Sequence, residues 1–327
     1  MGYPEETYQK AHAILAQRRE KAESENALRK AKCAQKFPEI EEINMKLGQI
    51  GISIAKVFLE EKNKVQAIEE LKVKSLALQE EKAKILEQAG LPRDYLKVHY
   101  HCEECSDTGI VGSKYCKCYY ELLKEVEKSR IKRIAPIDKC TFESFDVKCY
   151  TEEKASNGIS PRMLADSVLC GCIKYCAQFS LSSPSLLLMG STGLGKTHLA
   201  LAIANAVIDR GFGVVFGNAQ NILSDLESIR FGRNAFNEYN EQMLMEANLL
   251  IIDDLGAEFI TQFTVSCIYN IVNSRMLAGK PTIITTNLNT SDLEREYGQR
   301  LTSRLTSEYT ILRFIGSDIR YKKKDKN

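Results

Sequence analysis

The sequence predicts an α/β protein, a parallel sheet flanked by helices, preceded by an α-helical arm and a small cysteine-rich module. Three observations predict it. The glycine-rich turn Gly190-Ser191-Thr192-Gly193-Leu194-Gly195-Lys196-Thr197 joins the apolar run Ser185-Leu186-Leu187-Leu188-Met189 to a helical pattern beginning at His198. Two further runs, Leu249-Leu250-Ile251-Ile252 and Pro281-Thr282-Ile283-Ile284-Thr285-Thr286, end in polar residues, as parallel strands buried on both faces do. Ahead of them lie a long stretch rich in Lys, Glu, Ala, Gln and Leu and four cysteines in two close pairs. The expected division is 1–97 for a coiled-coil-like helical arm, 98–134 for the cysteine knuckle and a connector helix, and 135–327 for the sheet domain.

The chain has 327 residues, with 45 Lys and Arg against 43 Asp and Glu, a net charge of +2. That balance excludes a global basic field, so any nucleic-acid contact has to come from a local patch. Eleven cysteines is an odd and high number, and fits metal ligands and reduced core thiols better than a disulfide framework. No apolar run approaches the roughly 18 residues of a membrane span. The start Met1-Gly2-Tyr3-Pro4-Glu5-Glu6-Thr7 lacks a basic region followed by an apolar one, so no secretory signal is read there. A cytoplasmic protein without membrane contact is expected.

From Glu5 to about Ala89 apolar residues recur at Ile54, Val57, Phe58, Val65, Ile68, Leu71, Leu76, Leu78, Ile85 and Leu86, an interrupted heptad. Pro38 divides the stretch and Gly90-Leu91-Pro92 stops it, so two long helices are expected. Such a stripe serves as a packing seam or as an arm that docks a protein.

Cys102 and Cys105 form a C-x₂-C pair, and ten residues later Cys116 and Cys118 form a C-x-C pair. Four thiolates make a closed tetrahedral Zn²⁺ site, which is structural because no ligand position stays open. Ser106-Asp107-Thr108-Gly109 supplies the turn between the halves, and the chain has to bend between Cys116 and Cys118, which would face opposite ways in a strand. Replacement of one thiol by His99 or His101 remains an alternative, as does a cluster without metal. Cys170, Cys172 and Cys176 read as core thiols in a helix spanning about 163–179. The segment 121–133 reads as a charged connector helix.

The turn at 190–197 matches the phosphate-loop pattern G-x-x-x-x-G-K-[ST] between a strand and a helix. Loop amides and the helix N-terminus then face a polyphosphate, Lys196 reaches the β and γ phosphates, and the Thr197 hydroxyl holds Mg²⁺. Asp253 and Asp254 close the apolar strand at 249–252, the Walker B arrangement. There Asp253 supports Mg²⁺, and Asp254 orients the attacking water, with Glu258 as a backup for that role. Many ATPases carry Glu at the second position; Asp is one methylene shorter, which brings the water closer or slows hydrolysis. Asn287 ends the next strand, where a γ-phosphate sensor sits. Ser291 and Glu294 offer the following helix a capping box of its own, leaving Asn287 for other work. Arg300 and Arg304 lie four apart on one helix face, and Arg304, then Arg300, is the candidate for an arginine finger acting on a neighbouring subunit's nucleotide.

The phosphate loop with His198-Leu199-Ala200, Asp253-Asp254-Leu255-Gly256, Thr285-Thr286-Asn287-Leu288 and the stretch Tyr297-Gly298-Gln299-Arg300-Leu301-Thr302-Ser303-Arg304-Leu305 together resemble the AAA+ ATPases of bacterial helicase loaders, the DnaC/DnaI type. The resemblance extends from about Gly90 onward. It implies a P-loop AAA+ domain that binds ATP with Mg²⁺, with His198 beside the loop. It implies that Arg320, in Gly316-Ser317-Asp318-Ile319-Arg320, senses the nucleotide as a sensor 2 arginine. It implies that Phe145, in Thr141-Phe142-Glu143-Ser144-Phe145, leads into the adenine pocket, and that the cysteine cluster is the zinc region of the DnaI-like branch. The partners it implies are the hexameric replicative helicase of DnaB type, bound through the N-terminal part, single-stranded DNA, and further copies of the chain.

Arg230-Phe231-Gly232-Arg233 and Phe236 alternate cations and aromatics, a pattern suited to phosphate contact with base stacking, though also to a solvated basic helix face. The tail Arg320-Tyr321-Lys322-Lys323-Lys324 adds at most non-specific phosphate attraction. Two other readings stand beside the loader. One is an IstB-like transposase-helper ATPase, which usually lacks a preceding zinc knuckle and long arm. The other is a zinc-stabilised adaptor that binds ATP and scarcely hydrolyses it.

Overall fold

The computed structural model describes residues 2–59, 64–154, 158–233 and 237–320. The chain forms two compact units, one of His12–Cys118 and one of Met1–Ala11 with Tyr119–Asn327. These boundaries differ from the expected breaks after 97 and 134. The reason lies in long-range polar contacts within the second unit. Gly2 N donates to Asn248 Oδ1 (3.0 Å), whose oxygen also accepts from Gly213 N (3.0 Å), and Thr7 Oγ1 donates to Glu127 Oε2 (2.6 Å).

In the first unit the described residues form three long helices where two were expected: α1 (Glu5–Lys36, its first residues in the other unit), α2 (Pro38–Leu59) and α3 (Lys64–Gln88). Pro38 does not merely divide the stretch. It opens α2, where a missing N–H costs nothing and its fixed φ is already helical. α2 packs on α3, and Lys82 Nζ donates to Asn44 Oδ1 (2.7 Å). Cys33, Ile40 and Leu86 form a small core backed by Phe37, Ile85, Leu91, Tyr95 and Leu96. The apolar stripe is less continuous than its spacing suggests: Leu86 is buried, but Leu76 faces solvent. Phe58 and Val65 lie outside the described side chains. α3 stops as expected. Gly90 takes a positive φ of 73°, and Leu91 N reaches back to Leu86 O (2.9 Å), a Schellman closure. A short antiparallel pair, β1 (Ile110–Val111) and β2 (Lys114–Tyr115), carries the second half of the cysteine module.

Helix α4 (Lys117–Lys132) begins in the first unit and continues in the second, and it is more than a charged connector. It buries Tyr119, Leu122, Leu123, Val126 and Ile131, together with an ion pair between Glu127 and Arg130. Arg130 Nη2 also donates to Val214 O (3.0 Å). The remaining helices are α5 (Pro161–Ala177), α6 (Lys196–Asp209), α7 (Ala219–Arg230), α8 (Glu241–Glu246), α9 (Gln262–Leu277), α10 (Thr290–Tyr297) and α11 (Gln299–Glu308). They flank a five-stranded, all-parallel sheet of β3 (Ser185–Met189), β4 (Val214–Asn218), β5 (Leu249–Leu255), β6 (Thr282–Thr286) and β7 (Tyr309–Arg313), ordered β4-β5-β6-β3-β7. The sheet has a core on each face. One holds Leu186 and Leu188 with Leu199 and Ile203 of α6, the other Leu187 and Met189 with Ile268 and Val272 of α9. Strands covered on both sides need continuous apolar runs, which is why these stretches are legible.

Two expectations are corrected here. Cys172 and Cys176 are buried in α5, but Cys170 is exposed. The cap of α10 is Asn289, whose side chain accepts from Asp292 N (2.9 Å), so Ser291 and Glu294 lie inside the helix and form no capping box. At the end of the sheet away from the strand C-termini, the buried Arg275 of α9 donates to Leu244 O, Ala247 O, Pro281 O and Thr282 Oγ1. This closes the entries to β5 and β6. No described helix is long and apolar enough to cross a membrane.

Candidate nucleotide site and cysteine cluster

The loop 190–197 runs from the end of β3 into α6, beside the ends of β5 and β6. Its glycines meet real constraints. Gly195 has φ 79°, and a Cβ there would stand 2.7 Å from Phe145 Cε2. Gly193 has φ 78°, and a Cβ there would collide with the Asp318 carboxylate. L-residues with a Cβ disfavour both conformations, so the loop backbone can close around a ligand only with glycine here.

Thr192, Gly193, Leu194, Gly195, Lys196, Thr197 and His198 line an open cavity of about 320 Å³ together with Asp254, Ile319 and Arg320. Lys196 Nζ donates to Gly190 O (2.7 Å) and Ser191 O (2.9 Å). Burial lowers its pKa, and the carboxylates of Asp254 and Asp253 counter the shift. Thr197 Oγ1 donates to the Asp253 carboxylate at 2.9 and 3.1 Å, and Thr285 Oγ1 donates to the same group at 2.7 Å. Burial pushes the Asp253 carboxyl up, and the Thr285 and Thr197 hydroxyls pull it back. A hydroxyl at the start of a helix beside a buried carboxylate is an oxygen donor set of the kind Mg²⁺ takes, with room for water and phosphate oxygens to complete it. The glycine cradle, the ammonium and this pair fit a Mg²⁺–nucleoside triphosphate.

Asp254 faces the cavity, at a positive φ of 57°. Glu258 does not serve as its backup. It is 7% exposed, and its two oxygens are taken by the Tyr297 hydroxyl and by Gly256 N (2.9 Å). Asn287 is exposed just past β6, before the cap residue of α10. Arg300 and Arg304 do not line the cavity of their own chain. Arg300 is exposed. Arg304 is half-buried and held, with Nε donating to Asn273 Oδ1 (2.9 Å) and the guanidinium 4.9 Å from the Tyr269 ring centroid.

Phe145 is not on the cavity wall. It lies buried behind the loop, its ring 5.6 Å from that of His198 and 5.9 Å from that of Tyr150. Tyr150 and the backbone contacts that hold 314–320 against β3 and the loop are the parts of the site that the sequence hid; the place of Arg320 was expected. Tyr150 Oη donates to Leu194 O (2.7 Å). His198 Nε2 lies 2.9 Å from Thr141 O and 3.1 Å from Ser144 Oγ. Phe314 N donates to Met189 O (2.7 Å) and Ile319 N to Gly193 O (3.2 Å). This brings Arg320 to the cavity, paired with Asp318 (2.8 Å). No motif marks these contacts, because they depend on where β7 ends.

In the first unit the four sulfurs of Cys102, Cys105, Cys116 and Cys118 lie within 4.8 Å of one another. Cys102 and Cys116 are 3.8 Å apart and Cys105 and Cys118 3.4 Å. Zn–S bonds of about 2.3 Å in a tetrahedron place sulfurs roughly 3.8 Å apart, so the donors fit zinc. The expected bend is the passage from β2, with Cys116 just after it, into α4, with Cys118 in its first turn. The Asp107 carboxylate accepts from His101 N (2.8 Å) and Cys102 N (2.9 Å) and fixes the first knuckle. Among the described residues the group contains four thiols and no imidazole, so His99 and His101 are not part of it.

Sheet, loop and acid pair define a P-loop nucleotide-binding protein. The sequence match narrows this class. The model of the IstB-like ATP binding protein family covers residues 144–327, more than half of the chain. The chain belongs to that family. It is similar to the replicative helicase loader DnaC of Escherichia coli, with 27% identity over 166 residues, 51% of this chain and 62% of the relative. It is also similar to a putative ATP-binding protein in an insertion sequence of Mycobacterium tuberculosis, with 30% identity over 161 residues, 48% of this chain and 57% of the relative. The chain thus spans about three fifths of the length of these curated relatives. A crystal structure of the DnaC helicase loader matches at a TM-score of 0.46 and 20% identity, covering 55% of this chain and 99% of that one.

Proposed function

We propose that the protein is an ATP-dependent helicase loader of DNA replication, with ATP as the switch. The observation that carries this is the Thr197–Asp253 pair under Lys196 in a member of a family that includes relatives named as helicase loaders. Bound Mg²⁺ supplies charge neutralisation to the phosphates. Lys196 and the amides of 190–197 hold the β and γ phosphates. Thr197 and Asp253 hold the ion, Asp254 polarises the attacking water, and Asn287 orients it. Arg320 leaves Asp318 for the nucleotide. Arg304, or Arg300, completes the site of a neighbouring copy, which agrees with its place away from the cavity of its own chain. The cysteine cluster holds Zn²⁺, and the unit His12–Cys118 docks the DnaB-type helicase. Such a protein works in the cytoplasm.

Single-stranded DNA is the second partner. The Arg230 guanidinium lies 5.3 Å from the Phe263 ring centroid and that of Arg233 6.0 Å from the Phe231 ring, and Phe231 is 60% exposed. Cations backed by accessible aromatic faces suit backbone contact with base stacking. Phe236 lies outside the described residues.

The test is reconstitution with a DnaB-type helicase on a substrate coated with single-strand binding protein, measuring unwinding with and without this protein and ATP. Stimulation that needs both is expected; no stimulation removes the reading. The insertion-sequence relative and the family name favour a second reading, a transposase-helper ATPase of IstB type. The four-cysteine module weighs against it, and preference for duplex over single-stranded DNA would revive it. A zinc-stabilised adaptor with little turnover is told from both by the ATP hydrolysis rate with helicase and single-stranded DNA present.

A further inference from the structure

The two acids at the end of β5 sit in a break in the sheet. Strand β5 pairs with β6 through Ile251↔Ile283 and Ile252↔Ile284, and then through Leu255↔Thr286. Between these pairs β5 advances from 252 to 255 while β6 advances only from 284 to 286, so β5 carries one extra residue. This is a bulge, and such devices re-aim a side chain while taking a backbone group out of the ladder. Asp254 holds the left-handed conformation that turns it toward the cavity.

The hydroxyl of Thr285 fills the break. It accepts from Asp254 N (2.8 Å) and donates to Asp253 Oδ1 (2.7 Å), the oxygen that also accepts from Thr197 Oγ1 (2.9 Å). One step along, Thr286 Oγ1 donates to Leu255 O (2.6 Å) and closes the far side of the bulge. Thr285 is 1% exposed and is not on the cavity wall. A single buried oxygen therefore fixes both acids: the direction in which Asp253 presents its carboxylate to Thr197, and the backbone twist that delivers Asp254.

We propose that Thr285 is a positioning residue for ATP hydrolysis, aligning Asp253 for the metal ion and Asp254 for the attacking water. This rests on the ATPase reading above. Removing the hydroxyl while keeping the shape leaves the Asp254 amide unpaired and frees the Asp253 carboxylate to rotate.

The test uses the full chain with Thr285→Val, Thr285→Ser, Asp254→Asn and the double variant Thr285→Val/Asp254→Asn. Turnover is measured at saturating ATP and Mg²⁺, affinity for a fluorescent ATP analogue with and without Mg²⁺, and thermal unfolding on each. Thr285→Val should lower kcat about 10- to 100-fold, the usual effect of losing a group that orients a metal ligand. The analogue's affinity without Mg²⁺ should hold, its enhancement by Mg²⁺ should shrink, and Thr285→Ser should restore both. The double variant should be slower than Asp254→Asn alone by less than the factor that Thr285→Val costs the wild type, because only the part acting through Asp253 is left to lose. Three results overturn the proposal: a Thr285→Ser variant as slow as Thr285→Val, independent multiplying effects in the double variant, or Thr285→Val with unchanged Mg²⁺ enhancement. If the wild-type chain binds ATP without turning it over, the ATPase reading fails, and the Mg²⁺ enhancement still decides whether Thr285 aligns Asp253.

Discussion

Thr7 and Glu127, separated by 120 positions, share a buried hydrogen bond of 2.6 Å. Glu127 also pairs with Arg130, both almost fully enclosed. Glu127→Ala leaves the guanidinium buried and without its counter-charge, which should cost about 3–5 kcal/mol in chemical denaturation. Breaking the exposed pair Lys132–Asp138 by Asp138→Ala should cost about 1 kcal/mol or less. Equal losses would mean that the Glu127–Arg130 pair is not enclosed as the structure has it.

The thiols of Cys172 and Cys176 are pushed up by burial to about 12. A pKa raised in the folded state means stability that is complete below pH 9 and declines between about pH 9 and 12, as the unfolded thiols ionise and the folded ones do not. Replacing both by Ala should flatten that part of the stability–pH curve. At neutral pH an alkylating reagent should modify Cys170 in the folded protein and spare these two, as mass spectrometry of the peptides would read.

Gly195→Ala should lose nucleotide affinity. Its new methyl group meets Phe145 at 2.7 Å, at a φ that costs an L-residue about 1–2 kcal/mol. Calorimetric titration with an ATP analogue would read a drop of about tenfold or more, since 1.4 kcal/mol is tenfold. Affinity equal to the wild type would mean that the loop does not need its backbone there.

Arg304→Ala should spare nucleotide binding and lower hydrolysis about 10³-fold or more, as loss of an arginine finger does. Because Arg304 is already held by Asn273 and Tyr269, Asn273→Ala should produce a milder loss of the same kind. Mixing Arg304→Ala chains with Lys196→Ala chains should recover part of the rate, because each supplies what the other lacks. Unchanged hydrolysis in Arg304→Ala would pass the role to Arg300.

Purified protein should carry about one zinc ion per chain, and Cys102→Ser/Cys105→Ser should lose it. A strong chelator should lower the melting temperature of the wild type and leave that of the double variant unchanged. Full-length protein free of zinc after preparation with zinc supplied would end the assignment of the cluster to that metal.

The legible parts of this chain were those whose chemistry is local. The turn at 190–197 needs its glycines, Lys196 and Thr197 within eight consecutive positions, and a strand with both faces covered writes itself as Leu249-Leu250-Ile251-Ile252. The spacing of the four cysteines is enough to show that their sulfurs meet. What stayed hidden depends on distant partners. Glu258 looks like a spare acid until Tyr297, 39 positions later, takes one of its oxygens. Helix α4 reads as charged, yet Glu127 and Arg130 are charges turned inward, which no periodicity separates from charges turned outward. Asn289 outcompetes Ser291 as a cap because β6 ends at Thr286 and the chain turns early. Phe145 falls behind the loop because Gly195 leaves a gap of its size there.

The segment at 314–320 follows the last strand and is pinned at Met189 of β3 and at Gly193 of the loop, while Ile315 between these points stands in solvent. Such a stretch is a natural reporter. A fluorophore attached at Ile315→Cys, with Cys170 replaced by Ser, would ride on the piece of chain that carries the cavity residues Ile319 and Arg320, without replacing either. Its emission would follow the approach and departure of nucleotide in real time. The order of nucleotide binding and release could then be timed on the protein itself.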